Sequence, residues 1–141
     1  MLAKHAKADL HEAAFSGNVA VIQLLLDQGQ DPDVMSKYGQ TPLHKAAMNG
    51  NLECAKVLIG HGAQTHIKDE AGCTALHYAA GNGHLVMVKW LTQEADVDLT
   101  PQSKKERTPR TFAKRNGHRK VVLFLAEKES KQEGFSWLGN S

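Results

Sequence analysis

No apolar run in this 141-residue sequence approaches the roughly 20 residues needed to span a bilayer, because its apolar residues fall in short blocks. The opening Met1-Leu2-Ala3-Lys4-His5-Ala6-Lys7 lacks the apolar stretch of a secretory signal. Cysteine is scarce: Cys54 falls in an apolar block and Cys73 just before a helix start. Two thiols so placed make no disulfide framework and fit a reducing compartment, so the expected location is the cytoplasm, the nucleus or both. There is no CxxC pair, and Cys73 with His77 supplies two ligands where a structural zinc needs four. No nucleophile elbow, phosphate-binding glycine loop or His-Glu-x-x-His helix is present either. The carboxylate pairs Asp31/Asp33 and Asp96/Asp98 stand in turns, where aspartate favours local hydrogen bonds. No metal, cofactor or catalytic residue is therefore expected.

What the chain does have is repetition. Residues 41–63 read TPLHKAAMNGNLECAKVLIGHGA, residues 74–96 read TALHYAAGNGHLVMVKWLTQEAD, and residues 8–30 read ADLHEAAFSGNVAVIQLLLDQGQ. A fourth copy starts at Thr108 with TPRTFAKRNGHRKVVLFLA. A period of 33 to 34 residues predicts a solenoid of stacked units. The units run over about 8–40, 41–73, 74–107 and 108–126 within one domain, 1–130. Residues 131–141 are expected to form a loose tail, whose Phe135, Trp137 and Leu138 either cover the last helix pair or act as a docking peptide.

Within each unit a short helix with a narrow stripe of small and apolar residues precedes a second, more apolar one. The first unit's second helix is apolar almost all round, so both its faces are expected to be covered. Asp9 suits the positive end of the first helix, and Thr41 and Thr74 start its successors. Pro42 takes the first helical position, where its missing N–H costs nothing. Gly17, Gly50, Gly83 and Gly117 break the first helices, and Asn18, Asn51, His84 and His118 are read as caps of the second. His44 stands three residues after Thr41, where a capping box places Glu or Gln. Its ring is expected to bond Thr41 and to reach a neighbouring unit's backbone. His11 and His77 recur with the same period, which makes them helix-start hydrogen-bonders rather than metal ligands. The third unit lacks a glycine stop at Gln93-Glu94-Ala95-Asp96, and Glu106 stands where Gly39 and Gly72 stand earlier. In the fourth, Arg110, Thr111 and Lys114 replace apolar, His and Ala positions, as a terminal unit with one face in water requires.

Taken together, TPLHKAA, TALHYAA and the in-phase Gly-Asn and Gly-His pairs resemble the ankyrin repeat family, over about residues 8–126. The resemblance implies an all-α ankyrin-repeat solenoid of stacked helix-turn-helix units with short β-hairpin-like fingers. It also implies a non-catalytic interaction module, binding another protein in a concave groove of finger tips and first helices. Carried over position by position, the fingers contribute Lys37, Tyr38 and Gln40, then Glu70, Ala71 and Cys73, then Lys104, Lys105 and Arg107. The outer ends of the first helices contribute Phe15 and Ser16, Met48 and Asn49, Gly81 and Asn82, and Arg115 and Asn116. Phe15, Tyr38 and Met48 are the apolar anchors among them.

The net charge of +2 hides an asymmetry. Residues 104–120 carry eight Lys/Arg against one Asp/Glu, whereas residues 1–103 carry seven against eleven. A solvated cap explains polar residues there but not charges of one sign. An acidic protein surface, a nuclear-import patch or nucleic acid would each use that charge. Nucleic acid is the weakest of these, since no reading helix or aromatic-studded sheet accompanies it. The expected protein is a monomer that binds another protein, an acidic surface being one candidate, off the membrane. The alternatives are a stoichiometric inhibitor of an enzyme such as a kinase, or a nuclear regulatory factor using residues 104–120.

Overall fold

Each unit starts with a side chain that turns back onto the free N–H groups of its own helix. The computed structural model describes residues 9–139, with side-chain placement to Gln132. Asp9 accepts the His11 N–H at 2.7 Å and opens α1 (Leu10–Ser16). Asn18 accepts the Val21 N–H at 3.2 Å at the head of α2 (Val19–Asp27). Thr41 and His44 close a capping box over α3 (Pro42–Met48): the Thr41 hydroxyl accepts the His44 N–H, and His44 Nδ1 accepts the Thr41 N–H at 3.0 Å. Thr74 and His77 repeat it on α5 (Ala75–Gly81). The outer partners of these helices are α4 (Leu52–Gly60) and α6 (Leu85–Gln93), followed by α7 (Pro109–Arg115) and α8 (Arg119–Gly139).

The first helices α1, α3, α5 and α7 pack side by side, backed by α2, α4, α6 and α8. Ala14, Ala47 and Ala80 are fully buried where neighbouring first helices meet, and their small size permits the close approach. Leu10, Leu43 and Leu76 fill the same slot in successive units, and Ile22, Leu58, Leu91 and Leu125 extend the core from the outer row. No unit could bury this surface alone, so stability resides in the junctions.

Between units the chain forms three short loops that serve as fingers; no strand forms among the described residues. Their closing bonds run from the N–H of Ser36, Asp69 and Ser103 to the carbonyls of Gln40, Cys73 and Arg107, at 2.9 to 3.0 Å. Neighbouring fingers are joined by Glu70 N–H to the Tyr38 carbonyl and Lys104 N–H to the Ala71 carbonyl, both at 3.0 Å. Glu106, at the third tip, adopts φ 61 and so takes on the left-handed backbone that Gly39 and Gly72 supply earlier. Asp96, at φ 52, does the same for the glycine-free turn after α6. The departures from the repeat are therefore absorbed without loss of the finger.

Three local expectations need correction. Asn51 makes no capping bond to α4, and His84 makes none to α6; both side chains reach back to the preceding unit. Leu24 on α2 remains 54% exposed, so the first unit's outer helix is not covered on every side. Separately, α8 is helical as far as Gly139. The side chains of Phe135, Trp137 and Leu138, like His5, lie outside the described residues.

Space and backbone conformation separate two glycines with similar positive φ. A Cβ on Gly72 would stand 2.7 Å from the Lys104 backbone nitrogen, whereas one on Gly29 meets nothing within 4 Å. Gly72→Ala is expected to cost about 3 kcal/mol and Gly29→Ala about 1 kcal/mol, the latter from the left-handed backbone alone. Urea denaturation of the two variants measures the difference.

Candidate interaction groove

The groove lies between the fingers and the first helices, and its walls are fixed by hydrogen bonds from one unit to the next. His11, His44 and His77 place Nε2 at 2.8, 2.9 and 2.8 Å from the carbonyl oxygens of Gln40, Cys73 and Arg107. In His44 and His77, Nδ1 already accepts the Thr41 or Thr74 N–H. Nε2 must therefore carry the hydrogen and donate it. At the opposite end of each first helix the direction reverses. Asn49 and Asn51 donate to the Phe15 carbonyl, Asn82 and His84 bond the Met48 carbonyl, and Asn116 donates to the Gly81 carbonyl at 2.6 Å. These carbonyls end helices and have no helical partner of their own, so the side chains satisfy them.

Asp69 forms a charged node inside this frame. Its Oδ1 accepts the N–H groups of Ala71 and Cys73 at 3.0 and 2.9 Å, and its Oδ2 accepts Gln40 Nε2–H at 3.2 Å and the Tyr78 hydroxyl. Burial alone would raise its pKa, but the bonds from Tyr78, the Cys73 backbone and Gln40 hold it below the ordinary value. Tyr78 is correspondingly pushed up, by burial first and by the bond to Asp69 second. Ser36 and Ser103 hold the equivalent finger positions with hydroxyls that accept finger N–H groups. Asp69 and Tyr78 were not among the residues singled out from sequence. The available signal was Asp-x-x-Gly at 69–72, in phase with Ser-x-x-Gly at 36–39.

The groove candidates divide into those free to meet a partner and those used by the frame. Phe15 and Tyr38 are 45% and 56% exposed, and Lys37, Glu70, Lys104, Lys105 and Arg115 are exposed as well. Lys37 holds its ammonium 5.0 Å from the Tyr38 ring centre. Met48 and Arg107 are half-buried, and their carbonyls are committed to neighbouring units. Asn49 and Asn82 spend their amides on the preceding unit, and Gln40 spends its own on Asp69. Cys73 is 3% exposed and presents no thiol to a partner. Burial raises the pKa of both Cys73 and Cys54, which keeps these free thiols protonated and unreactive.

The two ends of the groove differ. A cavity of about 740 Å³ at the first finger is lined by Val34, Met35, Lys37, Tyr38 and Lys45, among others. At the far end a smaller cavity of about 170 Å³ is lined by Arg107, Phe112, Arg115 and Asn116. Among the described residues no helix is long and apolar enough to cross a membrane, and no three His, Cys, Asp or Glu side chains converge as metal ligands would.

A family profile described as ankyrin repeats in three copies matches residues 10–102. The matched region stops before the fourth unit, the one with Arg110, Thr111 and Lys114. A search of curated proteins gives no match.

The buried histidines make stability depend on pH. His44 and His77 are held below the ordinary histidine pKa, chiefly because burial disfavours the imidazolium. Unfolded chains take up these protons at about pH 6.5 while the fold still resists them. Their contribution is therefore whole above that pH and is lost as pH falls toward the folded-state values. Each adds a slope of at most about 1.4 kcal/mol per pH unit in that window. The Asp69 carboxyl titrates well below it. Urea midpoints should fall between about pH 7.5 and 5.5, and fall less in His77→Gln; equal midpoints at the two pH values would contradict the assignment.

Proposed function

The chain belongs to the ankyrin repeat family, and from that premise we propose that it is a non-catalytic module that binds a partner protein in its groove. The observation that carries this reading is the contrast between frame and edge. The frame's buried side-chain nitrogens and oxygens all have hydrogen-bond partners among the described residues. At the groove edge, by contrast, Phe15 and Tyr38 stand exposed and Met48 half-exposed. Large rings and Met left open on a rigid frame lose little conformational freedom when a partner covers them. Such a frame is ordered before contact, and it binds as a monomer. Two buried, unpaired thiols support a reducing compartment, the cytoplasm or nucleus. The basic third finger and fourth unit favour a partner with an acidic surface, which they would steer toward the groove.

Affinity capture from a cell extract tests this with three forms of the chain. Tyr38→Ala/Met48→Ala is expected to weaken capture about tenfold or more while leaving thermal stability almost unchanged, because Tyr38 is exposed and Met48 lies at the edge. Val86→Ser, on the outer face and 66% exposed, should leave capture intact. Capture that survives the groove pair and is lost with Val86→Ser would place binding elsewhere.

A further inference from the structure

We propose that the groove takes an extended acidic segment of its partner protein, seating one carboxylate between Arg107 and Arg115 and a large apolar side chain at Met35 and Tyr38; this rests on the groove reading above. The position is visible when the units are superposed by sequence. The residues lining the far cavity are Arg107, Phe112, Arg115 and Asn116. Their equivalents are Gln40, Lys45, Met48 and Asn49 in the second unit, and Cys73, Tyr78, Gly81 and Asn82 in the third. Of these three sets, only Arg107, Phe112, Arg115 and Asn116 bring two guanidinium groups to one cavity.

That cavity is preformed. Its floor is the Phe112 ring, packed edge-on to His77 with centres 4.9 Å apart. Asn116 is fixed by its 2.6 Å bond to the Gly81 carbonyl, and the Arg107 carbonyl accepts from His77 Nε2. Gly81 adds no side chain in front of Arg115, and a Cβ there would press on Phe112 at 3.3 Å. Among the described residues neither Arg107 nor Arg115 meets a carboxylate, whereas Arg110 is paired with Glu129 at 3.0 Å. Exposed Lys104 and Lys105 extend the positive field along the same finger. Guanidinium forks match a carboxylate with two parallel hydrogen bonds, and a hydrophobic floor excludes the water that would weaken them.

The other end of the groove offers the opposite chemistry, with Met35 and Tyr38 exposed beside Val34. First helices packed roughly 8–10 Å apart put the first and third fingers, two spacings from each other, about 16–20 Å apart. An extended chain covers that span in about five or six residues. The complementary occupant is thus a short extended stretch with a large apolar residue near one end and Asp or Glu near the other. Nucleic acid fits less well, because the ring at the basic end is already packed against His77 rather than open for base stacking.

Selection of random peptides of about twelve residues on the intact chain tests this, with affinities then measured by fluorescence polarisation. Enriched peptides are expected to pair an acidic cluster with an aromatic or large aliphatic residue about five or six positions away. Arg107→Glu/Arg115→Glu should weaken them at least about tenfold, and Arg107→Gln/Arg115→Gln by a smaller factor. Arg119→Glu/Lys120→Glu, an equal charge change at exposed positions of α8 away from the groove, should change affinity less than about twofold. Thermal melts confirm that each variant is folded. The acidic seat is overturned by peptides without acidic bias, by an equal loss from Arg119→Glu/Lys120→Glu, or by tighter binding of a single-stranded oligonucleotide. If Tyr38→Ala weakens the selected peptides and the arginine pair does not, the groove stands and the acidic seat falls. If neither change weakens them, or no peptide is enriched, both readings fall.

Discussion

The hydrogen bond from a first-helix histidine to the backbone of the next unit is the interaction on which the rest depends. His44 and His77 each satisfy a helix start with Nδ1 and a neighbouring carbonyl with Nε2. A single neutral ring thereby fixes its own helix cap and the register of the adjoining finger. Such a bond contributes only about 0.5–1.5 kcal/mol net, but leaving its buried carbonyl unpaired costs about 1–3 kcal/mol. That asymmetry explains why burial of the ring is tolerated, and why protonation, which removes the Nδ1 acceptor, is not. Asn49, Asn82 and Asn116 hold the opposite ends of the first helices in the same manner. Each junction is thus pinned at both ends, and the fingers inherit fixed positions.

A frame held this way separates stability from recognition. Positions that bond across a junction are spent, and those beside them are free to differ from unit to unit. Gln40, Cys73 and Arg107 have equivalent backbone roles, each carbonyl accepting from a histidine, while their side chains differ in size and charge. The same holds for Phe15, Met48 and Gly81 at the helix ends, whose carbonyls accept from asparagines of the next unit. The variation runs from apolar at the first finger to cationic at the fourth unit, so the groove has a direction. The fourth unit also shows how one set of residues meets two demands. Polar side chains suit the end of a stack, and the particular choice of arginine equips its groove side for an anion.

Much of the frame was readable in the sequence, because local signals and the period agree. The units, the alternation of short and more apolar helices, and the double duty of His44 all follow from residues three or four positions apart, repeated in phase. What was not readable involves choices between a local partner and a distant one. Asn51 stands at an N-cap position, yet its amide bonds Ala14 and Phe15 carbonyls some 36 residues earlier, which spacing along its own helix cannot reveal. Asp69 looks like an ordinary turn residue until Tyr78 and Gln40 converge on it. Cys73 occupies a finger position but faces inward, and Asn49 and Asn82 are drawn into the frame. Glu106 shows the reverse: a residue that departs from the pattern keeps the glycine conformation because the finger bonds around it enforce that shape.

The most direct test of this account is the protonation state of the two buried rings. Long-range nitrogen–proton correlation spectra of the ¹⁵N-labelled chain, recorded near pH 6.5, report which ring nitrogen carries hydrogen. An ordinary histidine is about half protonated there. The account predicts that His44 and His77 are neutral with hydrogen on Nε2 and a bare, accepting Nδ1. Rings that are charged at that pH, or that carry hydrogen on Nδ1, would contradict it.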